Sequence, residues 1–159
     1  MLLRELEAGR LDFVLVEGFF DHSRYEAQLC RREEFFGVCA PHHRLAGRAV
    51  PLDELAGERL ILRESGSGTR AIFEEALHRQ NWTLHSFPNV VTISDFSTIK
   101  SLTADGLGVS FLYAPVVAQE LKDGTLARFD LAEVPMSGAF YFVCLKDNLF
   151  AKAWLDWMQ

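Results

Sequence analysis

Residues 65–70 read S-G-S-G-T-R, three hydroxyl side chains and two glycines followed at once by a guanidinium. Gly66 and Gly68 let backbone N–H groups approach a ligand closely, and Ser65, Ser67 and Thr69 add hydroxyls that donate and accept. Helical spacing begins here: Ile72, Phe73, Ala76, Leu77 and Gln80 fall on one face, which predicts a helix from about Gly68 to Gln80. A helix N-terminus carries unpaired N–H groups and about half a positive charge. The combination makes a seat for a carboxylate or another oxyanion. Acidic residues normally favour the first turn, yet Arg70 stands there and Glu74 and Glu75 come a turn later. Arg70 therefore calls for a negative neighbour, either Glu64 or a bound anion. The stretch is no P-loop, because no lysine follows the glycines. It is no dinucleotide fingerprint, because the third glycine is missing. An ordinary N-cap at Ser67 in a flexible turn uses the same residues, and both readings stand on these residues alone.

A second strand-to-helix turn repeats the pattern. A strand ends in Thr92 and Ser94, and Asp95, Phe96, Ser97 and Thr98 open a helix. Ligands of open α/β sheets bind outside the carboxyl ends of strands. Ser94, Phe96 and Thr98 are therefore candidates to face the same ligand, with plain capping by Ser94 or Asp95 and a core Phe96 as the alternative. Other reactive groups are sparse. Asp12 and Glu17 lie near one strand, but Asp12 falls at its start, where a polar cap is expected. His42-His43 has no third ligand at metal spacing. Cys30, Cys39 and Cys144 are odd in number, form no C-x-x-C and sit in apolar or strand-like settings, which reads as buried free thiols. We read no catalytic group, no metal site and no cofactor.

The elements that must position these residues alternate along the chain. Leu2, Leu3 and Leu6 fit one helix face that stops at Gly9, and residues 11–18 form a short apolar strand. Residues 28–41 read as two strands around a charged turn, and 52–55 as one helical turn. Strands are predicted at 58–64, 89–94, 107–115, 125–131 and 138–146, and helices at 95–106, 115–124 and 149–158. This alternation predicts an α/β fold with largely parallel sheets.

The 159 residues, 49% hydrophobic, suffice for one core. A net charge of −6 offers no basic field for phosphates, so the chain by itself is a poor nucleic-acid binder. No apolar run approaches the ~20 residues that span a bilayer, so no membrane partner is expected. Arg4, Glu5 and Glu7 occupy the place where a signal peptide needs an apolar run, and a cytoplasmic location is expected.

The succession of G-R-L-D (9–12), D-E-L-A-G (53–57), G-S-G-T-R (66–70) and G-L-G-V (106–109) resembles the effector-binding, or substrate-binding, domain of LysR-type transcriptional regulators. The stretches 6–18, 33–47, 51–70, 93–126 and 140–148 follow the family order and cover nearly the whole chain. The resemblance implies a two-lobed fold like type 2 periplasmic binding proteins. The chain would cross between lobes near Glu17–Asp21 and Leu126–Pro135, with residues 1–21 and 136–159 in the first lobe and 22–135 in the second. It implies a small anionic, often carboxylate, effector in the interlobe cleft. The implied effector-binding residues are Ser65, Gly66, Ser67, Gly68, Thr69, Arg70, Ser94, Phe96 and Thr98, with Glu17 at the first crossover.

The chain departs from the family pattern in two places. His43-Arg44 stands where the family usually has proline after the histidine. The DNA-binding helix-turn-helix and the first strand–helix–strand unit of the effector domain have no counterpart, so the first lobe is expected to be incomplete, with an exposed apolar edge. DNA would be met only through that absent helix-turn-helix. Two other readings use the same fold, a dehydratase-like enzyme of small carboxylates and a periplasmic-type solute-binding protein. Family pairing and the exposed edge together predict a homodimer or larger assembly. Light scattering at micromolar concentration is expected to give at least twice the chain mass, and a monomeric mass contradicts this.

Overall fold

The computed structural model describes residues 2–18, 20–21 and 23–146. The elements are α1 (Leu2–Glu7), β1 (Val14–Glu17), β2 (Tyr25–Cys39), β3 (Ala49–Val50), α2 (Leu52–Leu55), β4 (Leu60–Leu62) and α3 (Gly68–Arg79). A single 3-10 turn at Leu84–Ser86 precedes β5 (Val90–Thr92), α4 (Phe96–Ala104), β6 (Ser110–Tyr113), α5 (Ala114–Asp123), β7 (Ala127–Leu131) and β8 (Met136–Leu145). The helix expected at 149–158 lies outside the described residues. The chain forms two compact units, Met1–Arg32 with Gly138–Gln159, and Glu33–Ser137. The boundaries fall inside β2 and β8, each of which supplies residues to both units. Among the described residues no helix is long and apolar enough to cross a membrane.

In the first unit β1 pairs antiparallel with β8, from Val14↔Val143 to Glu17↔Phe140. β8 lies next to β2 in strand order, and β1 is terminal. Side chains alternate across a strand, which sends Val14 and Val143 into a core with Leu6 of α1 and Tyr25 of β2. Glu7 fastens α1 to the start of β2 by accepting from Tyr25 Oη at 2.6 Å and pairing with Arg24 at 2.7 Å. Leu15, of opposite parity to Val14, is 56% exposed on this terminal strand.

The second unit is built around the later half of β2. Phe35–Val38 pairs antiparallel with β6, and Gly37–Cys39 pairs antiparallel with β7. β7 pairs parallel with β3, and β4 pairs parallel with β5. A parallel bridge, Leu60↔Val109, joins β4 to the residue just before β6. The sheets are thus mixed rather than largely parallel, because β2 takes antiparallel neighbours on both edges. β2 is one strand of 15 residues where two were expected. The intervening Arg31-Arg32-Glu33-Glu34 contains no glycine, proline, asparagine or aspartate to supply a turn. Cys30, on this solvated stretch, is exposed, which corrects the expectation of three buried thiols. Cys39 and Cys144 are buried, and burial pushes the Cys39 thiol up to about 11.

Two glycines set the spacing of this unit. A Cβ on Gly108 would lie 2.6 Å from the carbonyl oxygen of Arg59, so only glycine lets β6 approach β4. A Cβ on Gly37 would lie 2.2 Å from Phe129 Cζ. The ring of Phe129 occupies that space and meets Phe111 edge-on at 5.5 Å, and Phe111 stacks on Phe73 of α3 at 4.1 Å. Ile72, Phe73, Ala76 and Leu77 form the buried face of α3. Ile99 and Thr103 do so for α4, where Thr103 satisfies its hydroxyl on the Ile99 carbonyl at 2.8 Å. Gly37→Ala is expected to destabilise the chain by about 1–3 kcal/mol through overpacking. Phe129→Leu should restore part of the loss, and urea unfolding of the single and double variants measures both.

Candidate functional site

The parallel pair β4–β5 runs in register from Leu60↔Val90 to Leu62↔Thr92. The Ile93 N–H then donates to the Leu62 carbonyl at 2.9 Å. The two strands therefore stop side by side at their carboxyl ends, and each feeds a helix, α3 after β4 and α4 after β5. Arg63 joins the two connections, with its guanidinium 4.2 Å from the centroid of the Phe96 ring. The S-G-S-G-T-R turn and the Ser94–Thr98 turn are thus brought together within the second unit. Glu17 lies on β1, in the first unit.

The two helix starts are built differently. Asp95 caps α4 with its side chain, accepting the Thr98 N–H at 2.7 Å, the Thr98 hydroxyl at 2.7 Å and the Ser97 hydroxyl at 2.5 Å. The Ser97 and Thr98 hydroxyls, followed by the Thr98 backbone N–H, lower the Asp95 pKa to about 2. Of the two capping residues read from the sequence, Asp95 serves. The Thr98 hydroxyl is committed to that cap, and Ser94 is exposed before it. Phe96 is half-buried beneath Arg63 and against the core around Ile99, so it belongs to both the wall and the core.

At α3 the N-cap residue Ser67 makes no side-chain cap hydrogen bond. Its N–H closes a turn onto the Glu64 carbonyl at 3.2 Å, and its own carbonyl accepts the first helical bond from Ala71 at 3.0 Å. Gly66 sits inside the turn at φ +87, a left-handed conformation that glycine adopts without strain. Ser65 and Gly66 are exposed, and Ser67 and Gly68 are half-buried. Thr69 is only 6% exposed, so a hydroxyl is carried into the buried first turn. Backbone donors with no cap from Ser67, a glycine turn and this hydroxyl can hold an oxyanion.

The arginines are paired otherwise than the sequence predicted. Arg70 Nε donates to Glu74 Oε1 at 2.8 Å, one helical turn on, and its Nη1 donates to the Arg63 carbonyl at 3.5 Å. Glu64 belongs to Arg63, accepting from Nε at 2.8 Å and Nη2 at 2.9 Å. These bonds lower the Glu64 pKa to about 2. Arg70 thus takes Glu74 as its carboxylate partner, because a side chain in a first turn reaches the residue four later more readily than the turn behind it. Sequence reasoning missed Arg63. Its signal was a guanidinium on the last residue before the turn, at the carboxyl end of a strand.

A model of the LysR substrate binding domain matches residues 1–159. The chain belongs to this family. The RuBisCO operon transcriptional regulator of Allochromatium vinosum is 27% identical over 143 residues, which cover 89% of this chain and 46% of the relative. The chain spans less than half the length of curated relatives that it matches. Those relatives are named as transcriptional regulators, not enzymes. The regulatory domain of Synechocystis CcmR, solved in complex with 2-PG, superposes with a TM-score of 0.80 at 22% identity, covering 99% of this chain and 76% of that one. The effector-binding domain of QuiR, solved with shikimate, gives a TM-score of 0.78 at 17% identity, covering 99% and 74%. These structures establish the periplasmic-binding-protein-like α/β fold for the family member described here.

The folded pKa of Asp95 lies below its ordinary value, so its cap stabilises the chain above about pH 4 and the contribution fades as pH falls towards 2. Asp95→Ala is expected to lower Tm by roughly 2–6 °C at neutral pH. The difference from wild type should shrink between about pH 4 and pH 2, which thermal melts at stepped pH will measure.

Proposed function

We propose that this chain is the effector-sensing part of a LysR-type transcription regulator and that it binds a small anionic, carboxylate-bearing metabolite at the turn between β4 and α3. The observation that carries the reading is the contrast between the two helix starts. Asp95 closes α4 with its own carboxylate, while α3 begins with no side-chain cap behind two glycines. In this reading the amides of Gly66, Gly68 and Thr69 and the Thr69 hydroxyl hold the oxyanion. Ser65 and Ser67 line the turn, Arg70 supports it from the Arg63 carbonyl, and Ser94 and Phe96 supply the neighbouring wall. The bound states of CcmR and QuiR support a small-molecule ligand on this fold. The regulator as a whole would act in the cytoplasm as a homodimer or larger assembly. Effector binding would change how subunits pair, and so how a separate DNA-binding part sits on its operator.

A ligand at ~100 times its dissociation constant adds ~2.7 kcal/mol, which moves the midpoint of a chain this size by roughly 5–10 °C. In a thermal-shift panel of small anions and carboxylates, at least one compound is expected to give such a shift. Thr69→Val keeps the shape, removes the hydroxyl, and should abolish it. A panel without any shift, or a shift that Thr69→Val leaves intact, overturns the assignment of this turn.

A further inference from the structure

The Arg63–Glu64 pair joins consecutive residues. Several other described ion pairs fasten elements or successive helical turns, as Lys100–Glu120 joins α4 to α5 and Arg70–Glu74 spans a turn of α3. A pair between chain neighbours cross-links nothing, so it adds little to the fold. The guanidinium does not depend on Glu64 for its place, because the Phe96 ring lies 4.2 Å beneath it and its side chain is only 17% exposed. Glu64 is 42% exposed and free to leave towards solvent. What Glu64 contributes is a planar carboxylate whose two oxygens fill the Nε/Nη2 fork at 2.8 and 2.9 Å. A fork of this kind suits two coplanar oxygens and is not reproduced by an ammonium.

We propose that Arg63 is a specificity-determining residue that takes the carboxylate of an effector in its Nε/Nη2 fork, and that Glu64 is a built-in competitor which holds the fork until the effector displaces it. The proposal rests on the reading of the β4–α3 turn as an effector site, and adds to it the residue that selects a planar anion and a device that sets its affinity. Phe96 keeps the guanidinium in position during the exchange. Glu64 returns to the fork when the effector leaves.

The test is an NMR titration of the whole chain with malonate at constant ionic strength, following the Arg63 Nε–H and the backbone amides of 66–69. In the wild type both sets of signals should move and saturate together. Glu64→Gln removes the competitor's charge and should tighten malonate roughly two- to five-fold. Arg63→Gln should weaken it roughly ten-fold or more. Arg63→Lys keeps a charge without the fork and should also weaken it, which serves if Arg63→Gln folds poorly. If the 66–69 amides titrate with one unchanged dissociation constant in the wild type and all three variants, the competitor proposal falls and the effector-site reading stands. If those amides do not titrate in any protein, both fall. Shifts that never saturate and spread over the surface arginines and lysines mean an adventitious ion only, and also overturn both.

Discussion

The parallel alignment of β4 with β5 is the constraint on which the candidate site depends. Three register pairs end both strands at the same level, and the Ile93 N–H on the Leu62 carbonyl carries the alignment one residue further. Parallel strands send their carboxyl ends the same way, so the connections to α3 and α4 must emerge side by side. That outcome does not depend on any residue of the turns themselves. It depends on β4 being held, and β4 is held on its other edge by β6 through the backbone approach that Gly108 permits. The packing of Phe73 on Phe111 then fixes α3 on the sheet.

Given that frame, the chemistry of the two turns follows from how each satisfies its first helical N–H groups. An aspartate at the cap position answers them internally, and the Ser97 and Thr98 donors hold its carboxyl below the usual carboxylate range. The α3 turn has no such group. Its nearest carboxylate, Glu64, is turned to Arg63 and not to the helix start. The same sheet edge therefore presents one closed helix start and one that an external oxyanion can complete. The ring of Phe96 beneath the Arg63 guanidinium brings the two turns into contact.

Much of this was legible in the sequence. The helical periodicity of Ile72, Phe73, Ala76 and Leu77 located α3, and the glycine–hydroxyl run located its start. The motif order G-R-L-D, D-E-L-A-G, G-S-G-T-R and G-L-G-V pointed to the family, whose model spans the chain. The direction of strand pairing was not legible, because β2 has an apolar end and a charged middle that mimic two strands and a turn. Which carboxylate serves which arginine was also hidden. Arg63, Glu64, Arg70 and Glu74 lie close in sequence, and only side-chain direction at the strand end and along the helix decides the pairing. The role of Gly37 was hidden too, since it answers to a ring on β7, far along the chain.

The proposed site joins the α3 turn, which seats the anion, to the α4 turn, which walls it, on a shared strand edge. Hydrogen exchange by mass spectrometry, with and without a saturating carboxylate, tests it most directly through peptides covering 63–72 and 93–99. Both peptides are expected to slow together while the β7 peptide stays unchanged, because one ligand orders both turns. Slowing in one peptide alone, or in neither while the chain still binds the anion, would contradict it.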